Sequence, residues 1–507
     1  MATFDFIVVG SGSGGSAVTR RLVEAGAEVA LVEAGPPGFG VEELDDPARW
    51  VSLAKGAYDW GHDYAPTDRV LGRVIPIPRG RVLGGSTATN AMMWYRGHPL
   101  DYDRWADTSP GWSFAECLPA FKRSEDWEGG ASDLRGSGGP LRITRSPDPH
   151  PVAAAMLDGA AEMGLPILDD PNGPSNEGGA LSNLNISGGR RHSAADGYLR
   201  PILGAANLTL IADSPVIRVI LNGDRATGIV HRLGGREVVS EARLGVILAA
   251  GAIETPRLLV LSGIGPEDDL KRLGIAVALS RRGVGQNLQD HPLVRAVNCR
   301  ARVPMGRPRD NGGGTILNWT SDPALPQADL HAFPVQGRSA VPAVLDRYGL
   351  DGDLFAIGPG LMRSHSRGYL RVLTAEPEGP LEIQPNFLAD PRDLAALCRA
   401  VEFVQDMVEG PAFAHLFDGH AAPSARLSGG DLEGFVRLAC STFFHTCGTA
   451  RMGADDDAVC TPRLAVRGLR GLWIADASVI PDIPSCNTHA PVTMIGERAA
   501  TFVLEDA

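Results

Sequence analysis

Apolar and polar residues at the start of the chain follow two successive patterns. Residues 6–9 form an unbroken apolar run, which is typical of a buried strand. Residues 16–25 have a helical pattern that ends at Gly26, and residues 29–32 form a second apolar run. The pattern therefore predicts a strand, a helix and a second strand, which is the unit of a parallel sheet.

The predicted turn between the first strand and the helix is rich in glycine. Gly10, Gly12 and Gly15 follow a G-x-G-x-x-G pattern, and Glu33 follows the second strand. Such glycines allow a tight turn and a close approach to a pyrophosphate, and the free N–H groups of the helix start favour the anion. A carboxylate at Glu33 can accept hydrogen bonds from a ribose 2′-OH. This stretch predicts a dinucleotide site and leaves NAD and FAD open.

Strand and helix patterns alternate again in the middle of the chain. Residues 207–212, 215–221 and 246–250 have strand patterns, and the last is followed by a glycine turn and a helix that ends at Gly263. This alternation predicts a largely parallel sheet. In residues 35–78, prolines among acidic and aromatic residues disfavour long regular elements.

The pattern changes between residues 293 and 439. Short β-like pieces such as residues 368–374 are joined by proline-rich connections, and helical patterns cover residues 393–408 and 431–439. Glycine-rich strand and helix signals return after Phe443. We therefore expect a second domain with its own sheet.

Composition and charge narrow the possible functions. A chain of 507 residues, 44% hydrophobic and 21% charged, has ordinary globular composition and is long enough for two domains. The net charge of −13, without a basic run, argues against nucleic acid or an anionic membrane as a partner. The sequence shows neither a signal-peptide pattern nor a membrane-spanning apolar run, so a cytoplasmic location is expected. The seven cysteines lack C-x-x-C spacing, which argues against structural zinc and a disulfide scaffold.

A second glycine-rich block, at residues 78–97, lets the backbone pass close to a flat or charged group. From this block onward the sequence resembles the glucose-methanol-choline (GMC) family of FAD-dependent oxidoreductases. The motifs follow the family's order over nearly the whole chain: GRVLGGSTATN at 80–90, RGHPLDYDRWA at 96–106, AAGAIETPRLLVLSGIGP at 249–266, GVGQNLQDHP at 283–292, FFHTCGTARMG at 443–453 and LWIADASVIPDIPSCNTHAPVTMIGERAA at 472–500. The resemblance implies FAD as the cofactor.

The resemblance also implies a fold. We expect an α/β fold (α+β overall) with a Rossmann-like FAD-binding domain and a substrate-binding domain built on an antiparallel sheet with helices. The FAD-binding domain is discontinuous in the family. We place it at residues 1–145, 190–292 and 443–507, and we place the substrate-binding domain at residues 146–189 and 293–442.

The motifs also place candidate catalytic residues. His445 lies in H-x-x-G-T, where the matching histidine is the family's proposed base, and an imidazole can accept a proton near neutral pH. Aligning PSCNTHAP with the family's carboxy-terminal block puts Asn487 at the second active-site position, where its N–H groups can stabilise an alkoxide. His489 takes that position if the block slips by two residues. His291 and His365 follow loop signals and are interpreted as structural.

Further cofactor contacts follow from the resemblance. Beside the dinucleotide glycines and Glu33, the implied contacts with phosphates, flavin and adenine are Arg81, Gly85, Ser86, Asn90, Val216, Asp476, Ala477 and Thr488. Asp476 also has the position of a helix N-cap. Some family members attach FAD through a histidine in the G-G-S block. Thr89 stands at that position, so we expect non-covalent FAD.

The expected reaction is the oxidation of a small-molecule alcohol. His445 takes the hydroxyl proton, Asn487 holds the oxygen, and hydride passes to flavin N5, giving an aldehyde or ketone. O₂, which yields hydrogen peroxide, or another acceptor reoxidises the flavin. A primary alcohol, benzylic or furanic, is the first substrate hypothesis. Alternatives are a sugar or glycoside hydroxyl, choline, which is less favoured because no aromatic cage is evident, and the non-redox hydroxynitrile lyase branch.

Overall fold

Two large sheets organise the chain. The computed structural model describes residues 2–147 and 149–507, and within that part a seven-stranded and an eight-stranded sheet are present. The first, here called the nucleotide sheet, is largely parallel, and the second, here called the roof sheet, is antiparallel. The predicted α/β fold, with a Rossmann-like sheet and a second antiparallel sheet, is therefore confirmed.

The nucleotide sheet takes its parallel strands from distant parts of the chain. Ala2–Val9 lies between Val29–Val32 and Arg236–Leu248. Leu208–Ile211 pairs with the outer side of Val29–Val32, and Leu472–Ile474 pairs with the end of Arg236–Leu248. Residues on both faces of Val29–Val32 are buried, which is why the strand appears in the sequence as an unbroken apolar run.

One edge of the nucleotide sheet is antiparallel, which the sequence analysis did not predict. Val216–Asn222 pairs with Arg225–Leu233, which in turn pairs with the first half of Arg236–Leu248. The last two strands are joined at Gly234 and Gly235, which have φ of 56° and 79°. Two adjacent glycines between alternating segments are a hairpin signal.

Helices connect the strands and cover the sheets. The predicted first helix is confirmed and begins three residues earlier, at Ser13. Within the described residues, no helix is long and apolar enough to cross a membrane. The α-helices are Ser13–Glu24, Glu42–Asp45, Pro99–Thr108, Phe114–Ser124, Pro151–Glu162, Gly251–Leu261, Glu267–Arg272, Pro342–Tyr348, Pro391–Glu409, Gly429–Ala439 and His489–Asp506.

The roof sheet follows the predicted change of pattern. Two of its strands, Pro292–Val294 and Cys440–Thr442, pair with each other and lead into the motifs that contain His291 and His445. Helix Pro391–Glu409 packs against the central strands. The remaining strands, in spatial order, are Phe417–Ala422, Val297–Ala301, Leu354–Leu361, Leu330–Val335, Thr315–Trp319 and Gly178–Leu181.

Short elements fill the remaining chain. As predicted, residues 35–78 contain only short pieces: the helix Glu42–Asp45, the 3₁₀ turns Pro47–Leu53 and Asp68–Val70, and the paired strands His62–Tyr64 and Ile75–Ile77. The other short strands are Glu125–Trp127, Leu141–Arg145, Asn183–Leu184, Ile186–Ser187, Arg190–Arg191, Ile264–Gly265, Leu279–Ser280, Gln286–Leu288, Gly368–Val372 and Leu381–Gln384.

The carboxy-terminal helix His489–Asp506 is fixed against the amino-terminal helix by a buried ionic cluster. The fully buried carboxylate of Glu497 accepts hydrogen bonds from Arg21 at 2.8 and 2.9 Å and from Arg123 at 2.6 Å. The hydroxyl of Tyr198 donates to the same carboxylate at 2.8 Å. Removal of this acid leaves two guanidinium groups without their shared anion.

Glu497→Ala is expected to destabilise the protein by about 3 kcal/mol, because one partner of a buried ion pair is removed. Chemical denaturation followed by tryptophan fluorescence measures the change as a lower midpoint. Glu505→Ala is the control, since its pair with Arg463 on the same helix is exposed and contributes about 1 kcal/mol or less. Equal midpoints for the two variants would contradict a stabilising role for the cluster.

Candidate active site

A cavity of about 760 Å³ lies between the two sheets. It begins at the carboxyl ends of Ala2–Val9 and Val29–Val32, the edge at which open parallel sheets bind ligands, and it extends to His445 and Asn487. Most of the predicted cofactor residues line it: Gly10, Gly12, Glu33, Gly85, Ser86, Asn90, Val216, Asp476, Ala477 and Thr488. Gly15 and Arg81 lie outside the lining.

The three motif glycines meet different physical requirements. Gly10 has φ of 94°, and a Cβ on Gly15 would lie 2.0 Å from the carbonyl oxygen of Gly10, so both are required by the chain's own packing. A Cβ on Gly12 would meet no atom within 4 Å. The open space at Gly12 faces the cavity beside the free N–H groups that begin helix Ser13–Glu24.

Glu33 is held in place by the turn that it faces. Its carboxylate accepts hydrogen bonds from the Ser11 N–H at 3.0 Å, the Ser11 hydroxyl at 2.6 Å and the Gly35 N–H at 2.9 Å. These bonds hold the carboxylate at the cavity lining, where a ribose hydroxyl can reach it. Burial raises the pKa of this carboxyl above its usual value, and the hydrogen bonds that it accepts from Ser11, Gly35 and the Ala34 N–H oppose that effect.

The second glycine-rich block packs directly on the first. Gly84 and Gly85 both have positive φ, and a Cβ on Gly85 would lie 2.9 Å from the Cα of Gly12. The Gly84 N–H donates to the Ser11 hydroxyl at 2.9 Å. The close backbone approach predicted for this block is observed, and its protein partner is the dinucleotide turn.

Arg79, and not Arg81, turns toward the cavity. The guanidinium of Arg81 lies 4.7 Å from the ring centre of Trp60 and 3.6 Å from the carboxylate of Glu378. Arg79 lines the cavity and donates to the carbonyl oxygen of Phe444 at 2.7 Å and to the Thr446 hydroxyl at 2.5 Å. Its positive charge therefore lies next to the segment that carries His445.

Asp476 joins two helix starts. Its carboxylate accepts hydrogen bonds from the Gly251 N–H at 2.9 Å, the Thr255 hydroxyl at 2.5 Å and the Ser478 N–H at 2.8 Å. The expected capping position is therefore observed, at the 3₁₀ turn Ala477–Val479. Burial raises the pKa of this carboxyl. The cap holds the two helix starts together at the edge of the cavity.

His445 and Asn487 meet in the cavity although forty-two positions separate them. The Nε2 atom of His445 lies 3.1 Å from the Nδ2 atom of Asn487, and its Nδ1 atom lies 2.8 Å from Nδ1 of His291. Because an amide nitrogen is a donor, Nε2 of His445 is the acceptor and its proton resides on Nδ1, directed at His291. This tautomer leaves the basic nitrogen of His445 on the cavity side.

A buried carboxylate fixes this pair of histidines. Asp290 accepts hydrogen bonds from the backbone N–H of His445 and of His291, both at 2.8 Å. The hydroxyls of Tyr64, at 2.6 Å, and of Thr442 also donate to it. Asp290 therefore positions the backbone of both histidines, and it contacts neither of their ring nitrogens.

The histidine pair is held in the neutral form. Burial is the main cause that lowers the pKa of His445 well below its usual value, and the charge of Arg79 adds to the effect. Burial also lowers the pKa of His291 to about 3. Both rings are therefore uncharged near neutral pH, which is the state in which His445 can accept a proton.

His489 contacts the nucleotide end of the cavity. Its Nδ1 atom lies 2.9 Å from the Ser13 hydroxyl, and its ring packs edge-on against Trp94 at 5.1 Å. Burial lowers its pKa to about 4. The structure places Asn487, and not His489, against His445, and it places the exposed His365 outside the cavity lining.

The described residues fit a bound dinucleotide. Open space at Gly12, the Glu33 carboxylate in the lining and the continuous path to His445 match a cofactor with a nucleotide at one end and a reactive ring at the other. The fold and the cavity thus define a dinucleotide-dependent enzyme.

Comparisons with known proteins identify the family. The GMC oxidoreductase models match residues 4–293 and 364–496. Oxygen-dependent choline dehydrogenase from Brucella anthropi is 35% identical over 99% of this chain and 95% of its own, and mitochondrial choline dehydrogenase from Homo sapiens is 35% identical over 99% and 89%. The crystal structure of pyridoxine 4-oxidase from Mesorbium loti has a TM-score of 0.94 at 31% identity and covers 98% of each chain.

The chain belongs to the GMC oxidoreductase family. The family assignment from the sequence motifs is confirmed, and with it FAD as the cofactor. The protein is an FAD-dependent oxidoreductase that oxidises the CH–OH group of an alcohol.

Several residues of the site were not found from the sequence. His291 was interpreted as structural, yet its ring bonds to His445, and Asp290 beside it anchors both. Arg79 and Phe443 also line the cavity. The signal was present, because QDHP is one of the motifs that carry the family resemblance.

Gly12→Ala and Gly15→Ala are expected to affect the protein differently. Gly12→Ala should leave the thermal stability of the apoprotein near wild type and reduce FAD occupancy, because the added methyl enters open cavity space. Gly15→Ala should lower both, since the methyl collides with the Gly10 carbonyl. Differential scanning calorimetry of apoprotein and the ratio of flavin to protein absorbance measure the two effects. Full FAD occupancy in Gly12→Ala would show that the cofactor passes elsewhere.

Proposed function

We propose that His445 is the catalytic base and that Asn487 binds the substrate oxygen in the oxidation of a primary alcohol. The observation that carries this proposal is the arrangement of the His445 ring. Its Nε2 atom faces the Asn487 amide at 3.1 Å inside the cavity, and its Nδ1 atom is tied to His291.

The proposed roles follow from these contacts. The Asn487 N–H holds the alcohol oxygen, and Nε2 of His445 takes the hydroxyl proton. The His445 Nδ1–H stays bonded to His291, which prevents ring rotation and steadies the imidazolium as it forms. Bound FAD supplies the acceptor for the hydride of the carbinol carbon. O₂ or another electron acceptor completes the turnover.

The cofactor-binding residues are proposed as the sequence motifs indicated. The dinucleotide glycines and Glu33 hold the adenosine and pyrophosphate, and Ser86, Asn90 and Thr488, which line the same cavity, contact the rest of the cofactor. Thr89 lines the cavity and carries no ring nitrogen that could bond covalently to a flavin, which supports non-covalent FAD. Residues 1–145, 190–292 and 443–507 form the proposed FAD-binding domain, and residues 146–189 and 293–442 form the proposed substrate-binding domain.

The cavity near His445 favours an apolar carbon body. Leu293, Phe333 and Phe443 line it, with the two phenyl rings edge to face at 5.6 Å. Phe443 also stacks on the His445 ring at 5.6 Å. A benzylic or furanic alcohol fits such a surface, because aromatic rings pack favourably edge to face.

A choline-type substrate is the second candidate. It is supported by the 35% identity to two choline dehydrogenases over almost the whole chain. The rings of Phe333 and Phe443 that line the cavity near His445 can also contact a quaternary ammonium group, so the aromatic lining does not separate the two candidates. Anaerobic bleaching of the flavin absorbance by benzyl alcohol, hydroxymethylfurfural, choline or glucose ranks the candidates, and no bleaching by any alcohol would contradict alcohol oxidation.

His445→Ala is expected to slow flavin reduction by about 10² to 10⁴, the usual contribution of a general base. Stopped-flow absorbance with the best substrate measures the rate. His365→Ala, at an exposed position, is the control and should reduce its flavin at the wild-type rate. A His445→Ala rate close to wild type would remove His445 from the role of base.

The pH profile of flavin reduction is expected to report the lowered pKa of His445. The rate should stay constant as pH falls through 6.5 and decline only at lower pH, because the imidazole stays neutral there. Arg79→Met removes a nearby positive charge, so protonation of His445 and loss of rate should occur at higher pH than in wild type. Arg79→Lys keeps the charge and serves as the control. An acid limb that does not move in Arg79→Met would exclude this electrostatic coupling.

A further inference from the structure

A short ladder of two strands runs along the cavity away from His445. Pro292–Val294 pairs antiparallel with Cys440–Thr442. Phe443 continues the second strand toward His445, and Arg295 continues the first strand in the opposite direction. Four residues of strand, or roughly 13 Å, separate Phe443 from the position opposite Arg295. Arg295 therefore stands at the end of the ladder away from the proposed base.

The character of the cavity wall changes along this ladder. Leu293 and Arg295 are two residues apart and both line the cavity, as expected for alternate positions of a strand. On the partner strand Phe443 and Ser441 line it as well. The Ser441 hydroxyl has no hydrogen-bond partner in the described part of the chain. Because Ser441 lies opposite Leu293, the wall has Phe443 beside His445, the Leu293–Ser441 pair in the middle and Arg295 at the far end.

The guanidinium of Arg295 is unpaired. Among residues 2–147 and 149–507 it has neither a carboxylate nor a hydrogen-bond partner, and burial alone lowers its pKa. An unpaired charge that is partly removed from water is costly, and a ligand of opposite charge removes that cost. Arg338, on the loop after Leu330–Val335, also lines the cavity and donates only to the carbonyl oxygen of Leu350, at 3.3 Å.

The acidic residues of the cavity are on the other side and are already engaged. Glu33 and Asp476 bond to the dinucleotide turn and the helix starts. Glu254 pairs with Arg257 at 3.0 Å, and Asp59 accepts the backbone N–H of Arg79 at 2.8 Å. In the described residues, the roof side of the cavity thus presents positive charge without a compensating acid.

We propose that Arg295 forms an anion-binding subsite and that the substrate is an alcohol with a carboxylate at the end opposite its hydroxyl. The proposal rests on the function proposed above and names its substrate class. The planar guanidinium binds a carboxylate through two parallel N–H donors. The apolar wall at Leu293 and Phe443 accommodates the carbon chain between the two ends.

The same charge acts against a cationic substrate. A trimethylammonium group in this part of the cavity would face Arg295 without an acid to offset the repulsion. The subsite therefore separates this chain from the choline dehydrogenases to which it is similar. One guanidinium also matches the single charge of a carboxylate better than the two charges of a phosphate monoester.

The test compares alcohols of equal length and different charge. Steady-state kinetics of the holoenzyme are measured with hexanoate and decanoate that carry a hydroxyl on the terminal carbon. The comparison compounds are alkanols and hydroxyalkyl phosphates of the same chain lengths, and choline. Wild type should prefer the hydroxy carboxylate that spans the ladder over the alkanol of the same length. Arg295→Met should lower kcat/KM for that carboxylate by about 10- to 100-fold, the effect of one charge-assisted contact, and leave the alkanol within about twofold.

Arg300→Met is the matched control, because Arg300 lies on the next strand and is exposed outside the cavity. Its kinetics should equal those of wild type for every alcohol. Equal loss on carboxylate and alkanol in Arg295→Met would show a structural residue and overturn the subsite. A phosphate ester preferred over the carboxylate would overturn the assignment of the carboxylate, and efficient turnover of choline would overturn the charge selection.

A binding measurement separates the subsite from the chemistry. Decanoate, which has no hydroxyl to oxidise, is titrated into wild-type holoenzyme and followed by the flavin absorption spectrum, with decanamide as the neutral control. Decanoate should bind at least about tenfold more tightly than decanamide. Equal affinities would overturn the anion site even if alcohols are oxidised. Absence of flavin bleaching by every alcohol, with decanoate still bound, would instead contradict the proposed function.

Discussion

Around the first helix, backbone segments pack directly on one another with no side chain between them, and the cavity depends on this close packing. A Cβ on Gly14 would lie 1.9 Å from the carbonyl oxygen of Ala475, and one on Gly496 would lie 2.5 Å from that of Gly14. The second glycine-rich block packs on the dinucleotide turn in the same way. Because no side chain separates these segments, the dinucleotide turn and the His445–Asn487 pair open into one cavity. The hydrogen bonds of Ser11 to Glu33 and to Gly84 join two of the segments through one hydroxyl.

Helices and strands that are determined by the local pattern of apolar and polar residues could be predicted from the sequence. The strand at residues 29–32 and the first helix are buried apolar or amphipathic runs with glycine boundaries, so their limits are visible without tertiary information. The hairpin Arg225–Leu233 to Arg236–Leu248 was missed, although Gly234 and Gly235 mark its turn. Its strands are partly exposed, so they lack the continuous apolar run that identified the parallel strands.

Site residues that belong to a family motif could be predicted from the sequence. Their spatial neighbours could be predicted less well, because the pairing of strands far apart in the sequence determines them. His445 and Asn487 followed from two motifs and do meet. The contact of His445 with His291 joins rings 154 positions apart, and only the pairing of Pro292–Val294 with Cys440–Thr442 reveals it. The choice between Arg79 and Arg81 depends on side-chain direction in an irregular segment, which sequence spacing does not determine.

The order of segments along the chain has a consequence for how the holoenzyme is made. Leu472–Ile474 pairs with Arg236–Leu248, and the helix that follows it packs against Ser13–Glu24. The wall that bears Asn487 and Thr488 is therefore synthesised more than two hundred positions after the strand beside which it docks. The complete cavity therefore exists only once the segment from Leu472 to Asp506 has been synthesised and has docked on the amino-terminal strands and helix.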